Sequence, residues 1–228
     1  PQDKLEVIVI DDSDDGTTEL LQVYEKRYRA VVRVIHRDQR SGFKAGALET
    51  ALANSNSELL ALFDSDQVPP KDFLRRMIPY LCSDEAIAFA QGRPSYLSDR
   101  SSWVARAVSL GMDSFAFVDQ EARFSADLLT HFSGGGGVFR KAAIVCVGGW
   151  ASETLAEDLD LSIRLRLGGW RYIYDASVPC PGEIPASYGI LRRQQFRWAS
   201  GFAGCLKKHL RSLVATRRMS AIQKAEAI

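Results

Sequence analysis

Residues 58–66 read Glu-Leu-Leu-Ala-Leu-Phe-Asp-Ser-Asp, a short apolar run that ends on two carboxylates separated by one residue. The run is far too short for a membrane span and has the length of a buried strand. Pro69-Pro70 follows and is expected to open a helix over 71–81, as proline does in a first turn. The stretch therefore predicts a strand leading into a helix, with Asp64 and Asp66 at the carboxyl end of the strand.

The same order of strand and helix recurs on both sides of this stretch. Strands are predicted over 5–10, 31–35 and 86–91, and helices over 17–28 and 44–53. Strands that alternate with helices of this size indicate β-α-β units in one α/β sheet, mostly parallel and flanked by helices. Ligands of such sheets bind at the carboxyl ends of the strands, where Asp11-Asp12 and Asp64-Ser65-Asp66 fall.

The pattern changes after residue 94. A long helix is predicted over 101–123, and a glycine loop over 133–137 precedes a strand at 138–139. The remaining predictions are a helix over 157–167, a short strand over 172–174, a proline-rich turn over 178–185 and helix from residue 190. We divide the chain at this last point, into a catalytic domain over 1–189 and an amphipathic, basic helical segment over 190–228.

Composition and charge narrow the class of protein. Of the 228 residues, 46% are hydrophobic and 25% are charged, which is typical of a soluble globular core. The net charge of +1 hides an asymmetry, because residues 187–228 carry +8 and the preceding part carries −7. A basic segment of this kind is expected to face phosphate, lipid or nucleic acid. The charge lacks interleaved aromatic residues and any recognised nucleic-acid-binding fold, so we expect no nucleic-acid partner.

The four widely spaced cysteines form no Cys-x-x-Cys pair, which excludes a zinc site and favours reduced thiols in a cytosolic compartment. No run approaches the roughly 18 apolar residues of a membrane span. The chain begins with Pro1 and enters a strand almost at once. We interpret it as an internal piece of a longer protein.

Several acidic and basic residues have two interpretations when each is taken alone. Asp64 and Asp66 can cap a helix, or they can hold a divalent cation against a diphosphate. Asp11 and Asp12 can cap the helix from residue 17, or they can contact the base and ribose of a nucleotide. Lys44, beside Gly42 at a helix start, is either a solvated lysine or a phosphate contact.

The later motifs also have both structural and functional interpretations. The loop 133–137, which contains Ser133, Gly134 and Gly135, is either simply flexible or lets the backbone approach a sugar closely. Glu157 and Asp158 begin a helix, where the helix dipole favours acids in any case. Three residues share one face of the last helix at spacings of three and four, so they can converge on one ligand: Gln194, Arg197 and Trp198.

The order of these motifs carries a resemblance. Asp-Asp-Ser at 11–13, Gly-Phe-Lys-Ala-Gly-Ala-Leu at 42–48, Asp-Ser-Asp at 64–66, Leu-Ala-Glu-Asp-Leu-Asp-Leu at 155–161 and Gln-Gln-Phe-Arg-Trp at 194–198 resemble the family 2 glycosyltransferases. More closely, they look like the cellulose synthase-like, inverting, membrane-embedded polysaccharide synthases. The resemblance extends from Val7 to about Gly201 and implies a GT-A fold, with a first strand upstream of Pro1 and transmembrane helices beyond Ile228.

The resemblance also implies roles for individual residues. Asp158 would be the base that deprotonates the acceptor hydroxyl, and Asp64 and Asp66 would bind Mg²⁺ or Mn²⁺. The nucleotide and diphosphate would contact Asp11 or Asp12, Lys44, Asp64, Gln194 and Arg197. The acceptor would contact Ser133, Gly134, Gly135, Glu157 and Trp198. The threonine often found before Glu-Asp in the family is Ala156 here, a change that we expect to be mild.

These roles predict a hexosyltransferase that uses a UDP- or GDP-hexose and extends a β-glycan at the cytoplasmic face of a membrane. The alternatives are a non-processive transferase that glycosylates a lipid such as a ceramide, and an inactive nucleotide-sugar-binding fragment. An amphipathic tail helix is expected to lie on the membrane, with Phe202, Leu206, Leu210 and Leu213 toward the lipid and its basic residues outward.

Overall fold

The computed structural model describes residues 4–97 and 102–228, and the chain divides into two compact units. The first unit contains the residues up to Asn56 together with Gly149–Glu153. The second contains Ser57–Gly148 and Thr154–Ile228. Each unit has its own sheet, so each is described by itself.

The first unit is built on two parallel strands. Its elements are β1 (Val7–Asp11), α1 (Thr17–Arg27), β2 (Val32–His36) and α2 (Phe43–Asn54). In the strand register Val7 lies opposite Val32, and Asp11 lies opposite His36. The short segment 149–153 joins this unit, where Trp150 N donates to Glu49 Oε2 at 2.8 Å. The carboxyl end of β1 therefore carries Asp11, as predicted from the sequence.

The second unit has a four-stranded sheet in the order β3-β5-β4-β6. Its elements are β3 (Leu59–Leu62), α3 (Phe73–Ser83), β4 (Ile87–Tyr96), α4 (Trp103–Ser114), α5 (Gln120–Ser125), β5 (Gly137–Arg140), α6 (Lys141–Cys146), α7 (Glu157–Gly168), β6 (Arg171–Gly182), α8 (Tyr188–Ala215) and α9 (Ala221–Ala227). Strand β5 is antiparallel to both β3 and β4, whereas β4 and β6 are parallel. Three of the four strands thus run the same way, but two of the three pairings are antiparallel because β5 is reversed, so this sheet is mixed. The α/β class is as predicted, whereas the reversal of β5 and the division of the strands between two sheets were not predicted.

Helix α3 covers one face of this sheet because its apolar residues recur at a spacing of four. Phe73, Met77 and Leu81 are each at most 2% exposed and pack in one cluster with Ala90 of β4 and Val138 of β5. Burying a side chain of this size stabilises the fold by about 1.5–3 kcal/mol. Leu59 of β3 packs against the same cluster, so α3 also supports the strand that leads into Asp64 and Asp66.

Two predictions about proline were wrong. Helix α3 begins at Phe73, so Pro69-Pro70 lies before the helix and not in its first turn. Val68 N donates to Pro181 O at 2.8 Å, which holds this segment against β6 before the helix begins. The predicted turn over 178–185 is instead partly strand, because β6 continues to Gly182. An edge strand tolerates proline, since one side of its backbone makes no ladder hydrogen bonds.

The predicted helix over 101–123 is divided in the structure. Ser101 lies outside the described residues, α4 begins at Trp103, and a π-helical turn at Phe115–Asp119 joins α4 to α5. Tyr174 Oη donates to Ala116 O within that turn, at 2.9 Å. A π turn shifts the helical hydrogen-bond ladder, so a carbonyl there accepts a side-chain donor. The break over 216–220, which separates α8 from α9 within the predicted helical segment 190–228, was not predicted.

Among residues 4–97 and 102–228, no helix combines the length and apolar character needed to cross a membrane. All four cysteines are free thiols, Cys82 and Cys146 exposed and Cys180 and Cys205 buried.

Candidate active site

The Asp64-Ser65-Asp66 turn follows β3 after one residue, Phe63, at the carboxyl end of the strand. Gln67 N donates to Asp64 O at 3.0 Å, and Asp64 N donates to Gln67 Oε1 at 3.0 Å. Asp66 Oδ2 accepts a hydrogen bond from Glu183 N at 2.9 Å. Both aspartates are half-buried. The turn is therefore held by its own residues on one side and by the end of β6 on the other.

This arrangement fits a hard divalent cation. The described residues contain no cluster of three or more His, Cys, Asp or Glu side chains able to hold a metal. Mg²⁺ in nucleotide sites is typically bound by one or two carboxylates, with phosphate oxygens and water as the other ligands. The hydrogen bond from Glu183 orients Asp66 through one oxygen and leaves Oδ1 with no partner in the described part of the chain. Asp64 and Asp66 together thus suit a cation that a diphosphate helps to bind.

The glycine loop lies against this turn, and only glycine fits at position 135 because the loop backbone lies so close to Gln67 and Asp64. A Cβ on Gly135 would lie 2.2 Å from Gln67 Oε1 and 3.1 Å from Asp64 N. Gly136 has φ +74° and a Cβ there would lie 2.7 Å from Cys180 Cβ. Its N–H donates to Leu62 O at 2.8 Å. Any side chain at Gly135 would push on the residue that holds Asp64.

Gln91 holds the other side of the loop, and sequence reasoning missed it. Its side chain is 1% exposed, and its Nε2 donates to Gly135 O and Gly136 O, both at 3.1 Å. Its Oε1 accepts from Ser133 N at 3.0 Å. Ser133 Oγ, by contrast, is buried and makes no hydrogen bond with the described residues. A glutamine inside the apolar run 87–91 was the available signal, since buried amides are normally hydrogen-bonded.

The loop is also tied to the start of α7. Phe132 N donates to Ser162 Oγ at 2.9 Å, and Ser162 Oγ donates to Asp158 O at 2.7 Å. Asp158 Oδ1 accepts from Leu159 N at 2.8 Å, and the Glu157 and Asp158 side chains are half-buried. The glycine loop is thus hydrogen-bonded to Leu62, just before the acidic turn, and through Phe132 and Ser162 to the start of α7.

Helix α8 approaches α7 closely at Gly201. A Cβ on Gly201 would lie 2.8 Å from Ala156 Cβ and 2.9 Å from Ala156 N. Ala156 is 4% exposed and immediately precedes Glu157. Arg197 and Trp198 lie one turn before Gly201, with Arg197 exposed and Trp198 40% exposed. Gln194, one turn earlier still, is half-buried.

A buried charge cluster joins the same two helices, and it was not predicted. Asp160 is 0% exposed; its Oδ2 accepts from Arg164 Nε at 2.7 Å. Its Oδ1 lies 2.7 Å from His209 Nε2 and 2.8 Å from Lys208 Nζ, both from α8. Burial alone raises the pKa of Asp160, but the hydrogen bonds from His209, Lys208 and Arg164 outweigh it and hold the pKa well below its usual range.

Asp11 in the first unit faces its own fold. It is 4% exposed; Oδ1 accepts from the N–H and hydroxyl of Ser13, and Oδ2 from Thr18 Oγ1 at 2.6 Å. His36 Nδ1 lies 3.0 Å from Oδ2. Burial raises the pKa of Asp11, and these hydrogen bonds more than offset it, so the pKa is lowered. Protein groups thus occupy both oxygens, and a contact between Asp11 and a nucleotide stays a prediction.

Asp12 is paired with Arg37, a residue that sequence reasoning did not select. Arg37 Nε donates to Asp12 Oδ1 at 2.6 Å and Nη2 donates to Asp12 Oδ2 at 2.5 Å. The hydrogen bond from Arg37 lowers the pKa of Asp12. Arg37 also donates to Ser41 O and Phe43 O, each at 3.1 Å. The arginine therefore ties the loop after β1 to the turn before α2.

That turn is conformationally strained and positions Lys44. Gly42 has φ +72° and Phe43 has φ +48°, a conformation that is uncommon for residues other than glycine. A Cβ on Gly46 would lie 2.0 Å from Ser41 O, so only glycine fits there. Lys44, the second residue of α2, is half-buried. Strain of this kind persists where the surrounding contacts enforce it, and it is common at ligand sites.

The chain is similar to plant enzymes over nearly its whole length. It is 35% identical over 231 residues to "Probable glucomannan 4-beta-mannosyltransferase 7" of Oryza sativa subsp. japonica, with 98% of this chain and 40% of that protein covered. It is 33% identical over 235 residues to "Glucomannan 4-beta-mannosyltransferase 2" of Arabidopsis thaliana, with 100% of this chain and 44% of that protein covered. The chain therefore spans about two fifths of the length of these relatives.

A solved structure shares the fold. The mannosyltransferase PcManGT from Pyrobaculum calidifontis, solved in complex with GDP-Man and Mn²⁺, superposes with a TM-score of 0.71. The two sequences are 23% identical, and the match covers 92% of this chain and 56% of that one. This likeness confirms the expected GT-A fold. The sequence model of the family "Glycosyl transferase family 2" matches residues 1–148, and the chain belongs to that family.

Proposed function

We propose that this chain is the catalytic part of an inverting hexosyltransferase that moves a sugar from a nucleotide-diphosphate sugar to a growing β-glycan. The observation that carries this proposal is the position of the glycine loop between the two acidic segments of the second unit. Gly136 N donates to Leu62 O at the end of β3, two residues before Asp64. Gly135 packs against Gln67, which accepts from Asp64 N. On its other side the loop is joined to Asp158 through Phe132 and Ser162. A carboxylate pair suited to a metal and a separate candidate base thereby lie on segments that contact the same glycine loop.

The proposed donor is a GDP-hexose, specifically GDP-mannose. The relatives at 33–35% identity are named as glucomannan mannosyltransferases, and the solved mannosyltransferase of the same fold was crystallised with GDP-Man. A UDP-hexose is the other donor class that the motifs allow. Mg²⁺ or Mn²⁺ bound by Asp64 and Asp66 would neutralise charge on the diphosphate. Gln194, Arg197 and Lys44 are proposed as its further contacts, since amide and cationic groups stabilise phosphate oxygens.

Asp158 is proposed as the base on the acceptor side. Its carboxylate would take the proton of the acceptor hydroxyl while that oxygen bonds to the anomeric carbon and the diphosphate leaves from the opposite face. One base and no covalent intermediate suffice, because a single displacement inverts the configuration. Glu157, at the same helix start, is proposed to bind the acceptor.

The proposed acceptor site also uses the glycine loop and α8. Ser133 Oγ, buried and unpartnered by the described residues, can be satisfied by a sugar hydroxyl. Gly134 and Gly135 would let the backbone come close to the sugar. Trp198, 40% exposed, offers an apolar face under the acceptor ring. Asp11 and Asp12 are retained as proposed nucleotide contacts, with Arg37 fixing the orientation of Asp12.

The proposed location is the cytoplasmic face of a membrane, with the segment 190–228 at its surface. The burial of individual residues limits which part of α8 can face lipid. Leu213 is 0% exposed and belongs to the core, whereas Phe202 and Leu210 are 41% and 40% exposed. The buried stripe of this half of the helix is Gly201, Cys205, His209 and Leu213. The lipid-facing side is therefore proposed to be the neighbouring stripe.

The test is substitution of the candidate base in the full-length enzyme. A positioned general base contributes about 10²–10⁴-fold to the rate, so Asp158→Asn should lose most transfer while donor affinity by calorimetry stays near wild type. Glu157→Gln is the matched comparison: because Glu157 is proposed only to bind the acceptor, this variant should raise the acceptor KM and retain the greater part of the rate at saturating acceptor.

Near-normal transfer by Asp158→Asn, with the loss in Glu157→Gln instead, would move the role to Glu157. Loss of donor binding would place Asp158 in the nucleotide site. If the wild-type enzyme binds GDP-mannose and UDP-hexoses but transfers none of them to any glycan or lipid, the proposal fails and the chain is a binding module. Transfer to a lipid such as ceramide, with no glycan formed, would replace the proposed acceptor.

A further inference from the structure

The buried cluster around Asp160 contains more basic partners than an acidic residue at a helix start needs for its stability. A carboxylate in the first turn of a helix is stabilised by the helix dipole without any cation. Asp160 nevertheless lies fully buried among three basic side chains: Arg164, Lys208 and His209. Arg164 belongs to the same helix as Asp160, and its Nη1 donates to Val147 O at 2.7 Å. Lys208 and His209 belong to α8, so the carboxylate bridges two helices.

A second contact fixes α8 two turns away from this bridge. Gly201 lies against Ala156, and Cys205 Sγ lies 3.4 Å from Ala156 O. Asp160 N in turn donates to Ala156 O at 3.0 Å. The first turn of α7 is therefore held to α8 by close packing at Gly201 and by charge at His209. Two contacts separated along a helix fix its rotation as well as its distance.

The rotation of α8 determines where its proposed ligand contacts point. At 3.6 residues per turn, Gln194 lies about 20°, Arg197 about 40° and Trp198 about 60° around the helix from Gly201. The three residues thus flank the direction of Gly201, which faces the residue before Glu157. If α8 rotated about its axis so that Gly201 lost its contact with Ala156, Gln194, Arg197 and Trp198 would all move away from Glu157 and Asp158.

We propose that Asp160 is a positioning residue of the transfer reaction, which holds α8 in one rotational setting so that Gln194, Arg197 and Trp198 face the start of α7. This inference rests on the proposed function for its kinetic consequence and on the geometry alone for the helix contact. Asp160 itself touches neither the substrate nor the reacting atoms. A buried ion network is costly to assemble, and its best-attested use is to select one arrangement of helices over others.

The kinetic test compares substitutions at Asp160 and at Lys208 with a control substitution at the adjacent Lys207. Asp160→Asn should lower the transfer rate per folded full-length enzyme by about 10–100-fold, since a small misplacement of contacts costs that much. The acceptor KM should rise at the same time. Lys208→Met should show the same effect in weaker form, whereas Lys207→Met should leave both constants at wild type, because Lys207 is exposed and outside the cluster. Rates and KM values of Asp160→Asn and Lys208→Met equal to those of Lys207→Met would overturn the proposal.

If Asp160→Asn does not fold, His209 supplies the test. His209→Leu removes the ring nitrogen that lies 2.7 Å from Asp160 Oδ1, while His209→Gln can still donate to that oxygen. Transfer should fall with leucine and recover with glutamine. Equal rates in the two variants would contradict a positioning role.

A thiol measurement tests the helix contact without any activity. Cys205, on the buried face of α8, is 0% exposed, and Cys180, in β6, is 1% exposed. Alkylation by iodoacetamide, followed by mass spectrometry, should label Cys205 at least about ten-fold faster in Asp160→Asn than in wild type, because local opening exposes it. Cys180 should stay protected. Faster labelling of both cysteines would indicate general destabilisation, and unchanged labelling of Cys205 would show that Asp160 does not hold α8; either result would overturn the inference. Since no sugar donor is needed, this result stands even if the proposed function fails.

Discussion

The close approach of α8 to α7 can be tested with two glycines of the same helix. Gly201 and Gly204 both lie inside α8, but their surroundings differ. A Cβ on Gly201 would lie 2.8 Å from Ala156 Cβ and 2.9 Å from both Ala156 N and Leu155 C. A Cβ on Gly204 would meet only Thr154, at 3.8 Å and beyond. The substitutions Gly201→Ala and Gly204→Ala therefore add the same methyl group to a tight site and to a roomy one.

The magnitude follows from two opposing effects. Either substitution improves helix propensity by about 1 kcal/mol, because glycine is that much less favourable than alanine inside a helix. Gly204→Ala should therefore raise the free energy of unfolding by up to about 1 kcal/mol. Forcing a methyl group into a packed site costs about 1–3 kcal/mol, and at Gly201 two of the near atoms belong to backbone and cannot rotate away. We expect Gly201→Ala to be less stable than Gly204→Ala by about 1–3 kcal/mol.

Urea denaturation of the two purified variants and of wild type measures this difference directly. In a thermal melt, each kcal/mol should appear as a shift of about 2–4 °C for a chain of this size. Gly201→Ala should also lower transfer, since it pushes Arg197 and Trp198 away from Glu157, while Gly204→Ala should not. If Gly201→Ala proves as stable as Gly204→Ala, the two helices are not in contact at Ala156 and the reasoning is refuted.

Three further predictions concern the metal, acid stability and the membrane. Asp66→Asn should weaken Mn²⁺-dependent nucleotide binding in calorimetry, because Asp66 carries an oxygen with no partner in the described residues; unchanged metal dependence would remove it from the metal site. The pKa of Asp160 is lower in the folded state than in the unfolded state, so the ionised Asp160 side chain stabilises the fold. This stabilisation is complete above the ordinary carboxyl pKa of about 3.9 and is lost as the pH falls through and below that value. Urea midpoints measured from pH 6 to pH 2 should therefore fall less steeply in Asp160→Asn than in wild type, and parallel curves would contradict the assignment. Co-sedimentation with anionic vesicles should be strong at low salt and fall at high salt, with Leu210→Ser weakening it; no binding at low salt would reject the membrane surface.

The sequence was informative wherever the signal is local. The apolar run 58–63, the glycine loop and the acidic helix start at Glu157 all have the predicted local structure, because strand length, glycine content and helix-dipole preference act within a few residues. The order of the motifs identified the family, which the match over residues 1–148 confirms. The proposed chemical roles of Asp64, Asp66 and Asp158 still depend on that order and stay predictions.

Contacts between segments that are distant in the chain could not be predicted from the sequence. Strand β5 is reversed between β3 and β4, and the prolines of β6 lie in an edge strand, because pairing depends on neighbours that are far away in the chain. The buried face of α8 is another example. Its apolar pattern predicted a lipid-facing stripe of Phe202, Leu206, Leu210 and Leu213, whereas the structure buries Leu213 together with Gly201, Cys205 and His209.

The physical reason is that hydrophobic periodicity indicates which side chains are apolar. It does not indicate where a neighbouring helix packs so closely that only glycine fits, or where a buried polar side chain has its partner. Glycine at 201 is buried because a backbone lies within 3 Å of where its Cβ would be, and glycine has no apolar side chain to signal this. Asp160 and His209 are buried because each satisfies the other, and a polar residue becomes a core residue only when its partner is present. Such pairs are decided by tertiary packing, and it is this packing that joins the two helices of the candidate active site.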